Sequence, residues 1–344
     1  MRLKRITGCL LAGLIMVSTA LTGCGSIDAG AVGATLDDQE ISLGFMNFMA
    51  KYQQAMYDIN YSPYFGTEMW STEIGADEDG NVLTMTESVK KSVSGSIETL
   101  YLLEKHMGDY GVTVTEEEMA RMQEVAAEFI SANSSKAVKL LGATEEYVVE
   151  MLRLYTIQKK MQDAIYAEVD TNVTDEEAAQ RTFTYIRASV AKGKDADGKS
   201  VDYDDDQKAE FETTMKGIAD KAKTDFDGAK ELDENLYSTT YSYGGDDSTM
   251  DEAVIAAADA LKEGEVSDLI TTEEYYYVIR LDSEFDQEAT DKKKTDIASQ
   301  RQADHYTEVC DGYKEASQFA VKEEAWAQVV FNRLFTAEAD ETEE

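Results

Sequence analysis

The chain of 344 residues is strongly acidic, with 69 Asp and Glu residues against 32 Lys and Arg residues and a formal net charge of −37. Nucleic-acid binding depends on Lys and Arg side chains that neutralise phosphates, so this composition argues against a nucleic-acid partner. It equally excludes an electrostatic attachment to anionic lipid. A hydrophobic content of 43% allows a packed core, and the single proline permits long uninterrupted helices.

The N-terminal segment contains basic residues, an apolar run and a cysteine in the order typical of a bacterial lipoprotein signal peptide. An apolar run, 9–21, follows basic residues and is too short and too close to the start for a mature membrane span. It ends in LTGC at 21–24, which resembles the lipobox, where a cysteine is acylated and becomes the new N-terminus. The resemblance implies a signal peptide over 1–23, a lipid on Cys24 and a flexible tether over 24–34. An ordinary secretory signal with a chance cysteine is the alternative.

Residues 35–178 are predicted to be mainly helical. A short hairpin over 33–41 is followed by stretches with apolar residues at steps of three and four, which is the period of an amphipathic helix. Ser42 is predicted to cap the first helix, and TEEE at 115–118 has the sequence of a capping box. The segment 61–81, rich in aromatic and acidic residues and glycine, is predicted to be a loop.

The order of these elements resembles the N-terminal chaperone region of the SurA and PrsA foldases. The best local matches are GVTVTEE at 111–117 and GATEE at 142–146. The resemblance implies a helical chaperone domain over 35–178 that binds unfolded or partly folded exported proteins. The helices of 287–344 have too little apolar surface to stand alone, so we expect them to return and complete this domain, ending in an acidic tail.

A segment farther along the chain, 261–281, has the sequence LKEGEVSDLITTEEYYYVIRL. It predicts a helix end, a tight Gly-Glu turn and a strand rich in aromatic and β-branched residues. It also resembles the closing stretch of parvulin-type peptidyl-prolyl isomerase domains, roughly L-x-x-G-E-x-S-x-P-V-x-T-x-x-G-Y-H-I-I-K-L. The residues in register are Leu261, Gly264, Glu265, Ser267, Thr272, Tyr276, Ile279 and Leu281. Leu269, Tyr275 and Tyr277 replace the family's proline, glycine and active-site histidine.

Further motifs extend the parvulin resemblance over 179–286. The stretch TYIRASV at 184–190 is similar to the family's first strand, usually R-A-S-H-I-L. This alignment places Val190 at the position of the first active-site histidine. The stretch YGGD at 243–246 resembles the family's G-G-D loop.

The resemblance implies a degenerate isomerase pocket made of Tyr277, Ser238 and Met250, with Val190 and Val254 at its other substituted positions. Ser238 stands where active members have Cys or Asp, and Val254 replaces the phenylalanine of the M-x-x-x-F pocket motif. Rotation about a peptide bond has a barrier of about 18–20 kcal/mol, and lowering it requires an apolar socket and a preorganised polar network. Val190 offers no hydrogen bond, whereas Tyr277 retains a donor on a differently shaped side chain. We therefore expect a weak or inactive isomerase, and an active isomerase with a rebuilt network is the alternative.

The sequence predicts neither a metal site nor a cofactor. The two histidines, His106 and His305, are predicted to lie on helix flanks. Once the signal peptide is removed, Cys310 is the only cysteine besides Cys24, so a zinc site of the usual type cannot be assembled. Acidic stretches such as 202–206 lack the glycine and glutamate positions of an EF-hand.

These observations predict an α+β protein, in which a mostly helical SurA-like chaperone domain contains an inserted parvulin-like domain with a small antiparallel sheet flanked by helices. The predicted function is that of an extracytoplasmic foldase, lipid-anchored to the outer face of the bacterial cytoplasmic membrane by analogy with PrsA. A solute-binding lipoprotein is a further alternative, but the N-terminal half lacks the strand–helix alternation of the two α/β lobes typical of that class. The sequence does not indicate an oligomeric state.

Overall fold

The chain forms two compact units in a computed structural model. The described residues are 15–17 (backbone), 27–77, 80, 82–194 and 199–337. The first unit combines Met1–Val169 with Ala303–Glu344, and the second consists of Asp170–Gln302. The structural boundaries thus fall at residues 169 and 302, compared with 178 and 286 in the sequence-based division. Cys24 lies outside the described residues.

Helices dominate the first unit, whereas the second is built around strands. The helices, in chain order, are α1 Leu43–Phe65, α2 Met85–His106, α3 Glu116–Ala132, α4 Ser135–Leu141, α5 Glu145–Tyr166, α6 Asp175–Ala178, α7 Asp205–Ala222, α8 Phe226–Ala229, α9 Glu252–Ala260, α10 Gln287–Glu315 and α11 Glu323–Trp326. The strands are β1 Ile15–Val17, β2 Val32–Leu36, β3 Gln39–Ser42, β4 Glu73–Ala76, β5 Val82–Thr84, β6 Arg181–Ser189, β7 Lys192–Lys194, β8 Ser200–Asp202, β9 Tyr237–Tyr243, β10 Ile270–Thr271, β11 Tyr275–Ser283, β12 Phe319–Val321 and β13 Phe335–Ala337. No helix within the described ranges has the length and apolar character needed to cross a membrane.

The sheets are small and antiparallel. In the second unit, four strands pair in the order β10-β11-β6-β9, and β7 pairs with β8. In the first unit, β12 adds to the hairpin of β2 and β3, β4 pairs with β5, and β1 pairs with β13. The predicted α+β class, a helical domain with an inserted sheet domain, is therefore confirmed.

The helix starts follow the predicted capping residues. The Ser42 hydroxyl accepts a hydrogen bond from the Phe45 amide at 3.2 Å and begins α1. Thr115 and Glu118 form a reciprocal capping box at the start of α3. These side chains satisfy backbone amides that have no partner inside the helix, which fixes where each helix begins.

The structure differs from the predicted loop over 61–81. Helix α1 continues through Pro63 to Phe65 and ends at Gly66, whose φ of +62° is left-handed and whose amide donates to the Ser62 carbonyl at 2.9 Å. A proline in the last turn removes one helical hydrogen bond near an exposed end, where the loss is tolerated. A 3₁₀ turn and the β4–β5 hairpin then lead to α2.

The core of the first unit combines both ends of the chain. Apolar residues of α1, α2, α3 and α5 form one cluster with the hairpin of β2 and β3. The C-terminal members of the same cluster are Trp326, Val329, Phe331 and Phe335. Helix α11 stops at Trp326, although the spacing of apolar residues to Leu334 predicts a longer helix, and the chain then runs irregularly to β13.

Buried polar side chains of α1 hold this C-terminal segment in place. Asp58 is completely buried and accepts hydrogen bonds from Trp70 Nε1 at 2.8 Å, Gln54 Nε2 at 3.1 Å and the Phe335 amide at 3.0 Å. Gln54 Nε2 also donates to the Arg333 carbonyl at 2.6 Å. Burial raises the pKa of Asp58, against the effect of these hydrogen bonds.

Two lysines extend this network along the same segment, 326–330. Lys51 Nζ donates to Gln54 Oε1 at 3.0 Å and to the Val330 carbonyl. Lys90 Nζ of α2 donates to two backbone carbonyls of the segment at 2.7 and 3.0 Å. Burial lowers the pKa of Lys51 to about 8. Lysine side chains therefore bind the backbone carbonyls at 326, 329 and 330, while the amides of 326–329 make backbone hydrogen bonds.

Replacing Asp58 with Ala should destabilise the first unit. The substitution leaves the Trp70 indole and the Phe335 amide without an acceptor in the core, so we expect the free energy of unfolding to fall by about 3 kcal/mol. Both tryptophans of the chain lie in this unit, so urea unfolding followed by tryptophan fluorescence reports on it selectively. The control is Asp38→Ala in the exposed β2–β3 turn, which should change the stability by less than about 0.5 kcal/mol. Equal losses in the two variants would contradict this role of Asp58.

Candidate functional site

The four-stranded sheet of the second unit has two different faces, because side chains alternate along each strand. One face, which we call the aromatic face, packs against α9. Its buried or half-buried side chains include Phe183, Tyr185, Tyr241, Tyr243, Tyr277, Ile279 and Leu281. The other, the helical face, packs against α7 and α8. Its buried side chains are Ile186, Ala188, Tyr276 and Val278.

Three residues of the predicted pocket meet on the aromatic face. Tyr277 and Val254 are buried there, and Met250 packs beside them. The Asp247 carboxylate accepts hydrogen bonds from the Met250 amide at 3.1 Å and from the Tyr241 hydroxyl at 2.7 Å, which fixes the loop before α9. Burial opposes the ionisation of Asp247, but these hydrogen bonds outweigh it and lower its pKa.

Val190 and Ser238, in contrast, lie on the helical face. Val190 packs against the core of that face. Ser238 pairs with Ile186 across the strands and lines an open cleft of about 560 Å³. The residue opposite Tyr277 is Arg187, three positions before Val190, and an odd offset along a strand turns a side chain to the other face. The five residues of the predicted pocket therefore do not form one site.

Arg187 is the residue that the motif alignment missed. Its guanidinium carbon lies 4.6 Å from the ring centroid of Tyr275, 5.1 Å from that of Tyr237 and 5.7 Å from that of Tyr185. With Tyr277, these residues form what we call the Arg187 cluster. Burial acts to lower the pKa of Arg187, but a hydrogen bond to the Tyr277 hydroxyl and the neighbouring tyrosines raise it. The sequence does contain a signal for this residue. Tyr185 and Arg187 are two positions apart in the predicted strand, which places both side chains on the same face.

The Arg187 cluster offers a planar cation, tyrosine rings and hydroxyl groups. It contains no histidine, because the chain's two histidines, His106 and His305, lie in the first unit. Within the described ranges, no three His, Cys, Asp or Glu side chains are grouped so that they could hold a metal ion. Aromatic rings and an arginine can bind a polypeptide through apolar, cation–π and hydrogen-bond contacts.

A second candidate surface lies in the first unit, between the end of α1 and the start of α2. Several large apolar side chains are exposed in this part of the chain. They are Tyr61, Tyr64, Phe65, Ile74 and Val82, which we call the apolar segment. Tyr64 and Phe65 in the last turn of α1 are 80% and 64% exposed, whereas the nearby Trp70 is 3% exposed and anchors the stretch to the core.

Comparison with known proteins finds similarity at the level of structure. No family model and no curated protein matches the chain. The foldase PrsA of Streptococcus pneumoniae is 20% identical, with 75% of this chain and 100% of that chain covered and a TM-score of 0.31. PrsA of Lactococcus lactis is 15% identical, with coverage of 87% and 97% and a TM-score of 0.32. A SurA-like chaperone of Campylobacter jejuni is 10% identical, with coverage of 85% and 98% and a TM-score of 0.29.

These structures belong to the PrsA and SurA-like group that the sequence motifs resemble. At these identities and TM-scores the likeness carries no conclusion about activity. What the chain does is therefore inferred from its own residues.

The arrangement of the aromatic face predicts that the wild-type protein does not accelerate proline isomerisation. The exchange of a proline tetrapeptide between cis and trans should proceed at its spontaneous rate, over tens of seconds or more, because the resemblance places Val190 and Tyr277 at the positions of the paired histidines. The assay uses the purified chain without its lipid site, and a parvulin-type isomerase as positive control. Acceleration that Tyr277→Phe abolishes would contradict this prediction.

Proposed function

We propose that this protein is an extracytoplasmic foldase of the chaperone type, which binds unfolded or partly folded exported proteins. The helical unit holds these clients through the apolar segment. The parvulin-like domain is weak or inactive as an isomerase and serves as a second binding surface. The observation that carries the proposal is the exposure of large aromatic side chains at the end of α1.

Exposed aromatic side chains in one short stretch need an explanation, because folded proteins rarely leave large apolar patches open to water. Unfolded polypeptides expose apolar side chains along their length, and contact with the apolar segment removes both surfaces from water. The net charge of −37 complements this role, since mutual repulsion keeps the protein and its bound clients soluble.

The second unit supports the proposal because its aromatic face carries tyrosines and Arg187 and contains no histidine. An efficient isomerase needs a socket for the proline ring and a preorganised set of polar groups. Arg187 and Tyr277 occupy directly paired positions on neighbouring strands, and by the resemblance Tyr277 stands in place of one active-site histidine. Both side chains can donate hydrogen bonds, and this observation favours the alternative, an active isomerase with a substituted polar network. The solute-binding alternative has no comparable support, because the described part of the first unit is mostly helical rather than an α/β lobe.

Polar substitution of the apolar segment should weaken chaperone activity. We expect the double variant Tyr64→Ser and Phe65→Ser to lose most of its ability to suppress aggregation of an unfolded client, because two aromatic contacts are lost. Light scattering of a chemically unfolded client diluted into buffer measures this directly. The matched control is Tyr155→Ser on α5, which removes another exposed aromatic ring of the same unit, 44% exposed. Normal suppression by the double variant would refute the proposed binding surface.

Attachment to the outer face of the cytoplasmic membrane belongs to the same proposal. Acyl chains on Cys24 would hold the protein firmly, since each buried methylene contributes about 0.8 kcal/mol. Processing before Cys24 would also remove β1, the backbone partner of β13.

Mass spectrometry of the protein extracted from membranes should therefore show an acylated Cys24 as the first residue. The variant Cys24→Ala should lack the lipid and remain unprocessed, while Cys310→Ala should behave like the wild type. An intact Met1, or cleavage elsewhere without lipid, would rule out the anchor.

A further inference from the structure

We infer that the Arg187 cluster binds a carboxylate group of a polypeptide, together with the apolar side chain next to it. This inference deepens the proposed function and rests on it, because it names the chemistry that the second binding surface recognises. The carboxylate is either the C-terminus of the bound chain or an Asp or Glu side chain. Both sources present the same planar group.

The guanidinium of Arg187 is held in a fixed position. Three tyrosine rings surround it, with centroids 4.6 to 5.7 Å from its central carbon. Tyr277, 4% exposed, is the buried floor of the cluster and lies directly opposite Arg187 on the neighbouring strand. A side chain that is already ordered loses little conformational freedom when a ligand binds.

The charge of Arg187 has no carboxylate partner. Within the described residues, no Asp or Glu oxygen lies within the 4.0 Å ion-pair distance of its guanidinium. The matched residue on the helical face, Arg280, stacks on Phe226 at 4.8 Å and is paired with Asp282 at 2.7 Å. In a chain with 69 acidic residues, the aromatic face thus keeps a cation unpaired while the helical face does not.

Arginine suits a carboxylate because its planar donors match the two oxygens of the group. The cluster is also open to a ligand, since Tyr237 is 52% exposed and Tyr275 is half-buried. These rings can pack against a proline or aromatic side chain beside the carboxylate. The exposed Glu273 and Glu274 precede Tyr275 and repel further negative charge, which favours a ligand with a single carboxylate.

Three labelled peptides test the inference by fluorescence anisotropy at low salt. Each peptide carries an uncharged BODIPY dye at its N-terminus. The first is Gly-Gly-Ala-Pro-Phe with a free C-terminus, the second is its C-terminal amide, and the third is the amide with Glu in place of Ala. We expect the first or the third peptide to bind at least tenfold more tightly than the second. Tight binding of the first peptide would identify the C-terminus as the source of the carboxylate, and tight binding of the third would identify an acidic side chain.

Substitutions then assign the preference to the cluster. Arg187→Met should abolish the difference between the carboxylate peptides and the amide, and Arg187→Lys should lose most of it, because lysine lacks the planar donors. Arg280→Met on the opposite face is the matched control and should retain the full preference. Circular dichroism checks that each variant is folded.

Equal affinities for all three peptides, no binding of any of them, or an unchanged preference in a folded Arg187→Met would each overturn the inference. The aggregation assay distinguishes this result from a failure of the proposed function. If the wild-type protein suppresses aggregation of the unfolded client but binds all three peptides equally, the inference alone has failed and the proposed function stands.

Discussion

Buried hydrogen bonds from α1 to the C-terminal segment are the constraint on which the helical unit depends. Asp58 and Gln54 reach backbone groups at 333 and 335, more than 270 residues later in the chain. The core of this unit therefore cannot close until the whole second unit has been synthesised. Because Asp58 is buried with all its donors present, loss of any one partner leaves a polar group unsatisfied in an apolar surrounding. The fixed end of α1 also determines where the exposed aromatic side chains of the apolar segment are displayed.

In the second unit, the main constraint is the alternation of side chains along β6, β9 and β11, which determines the residues on each face of the sheet. It places most of the tyrosines of the sheet on the aromatic face, and it places Ile186, Ala188 and Val278 on the helical face, where α7 and α8 cover them. The same alternation puts Arg187 opposite Tyr277 and so decides the chemistry of the face. Ring stacking and a delocalised cation favour binding, whereas catalysis of amide rotation needs donors aimed at one twisted peptide bond.

Much of this architecture could be predicted from the sequence, because its signals are local. N-caps such as Ser42 and the turn residues of the first hairpin act within a few positions. The errors arose where distant groups decide the outcome. The apolar spacing after Trp326 indicates a helix, yet Lys51 and Lys90 satisfy the carbonyls there and stabilise an irregular path. Strand register is also non-local, so an alignment by motif alone could not show that Arg187 lies opposite Tyr277.

The central claim is that the helical unit holds clients at the end of α1, and site-specific photocross-linking tests it most directly. A benzophenone amino acid replaces Phe65 in one protein and, in a second, Phe285 of the other unit, which is 45% exposed. Each protein is irradiated with an unfolded client and with the same client after folding. The account predicts strong cross-links from position 65 to the unfolded client alone, and weaker ones from position 285. Equal labelling from both positions, or labelling of the folded client from position 65, would contradict it.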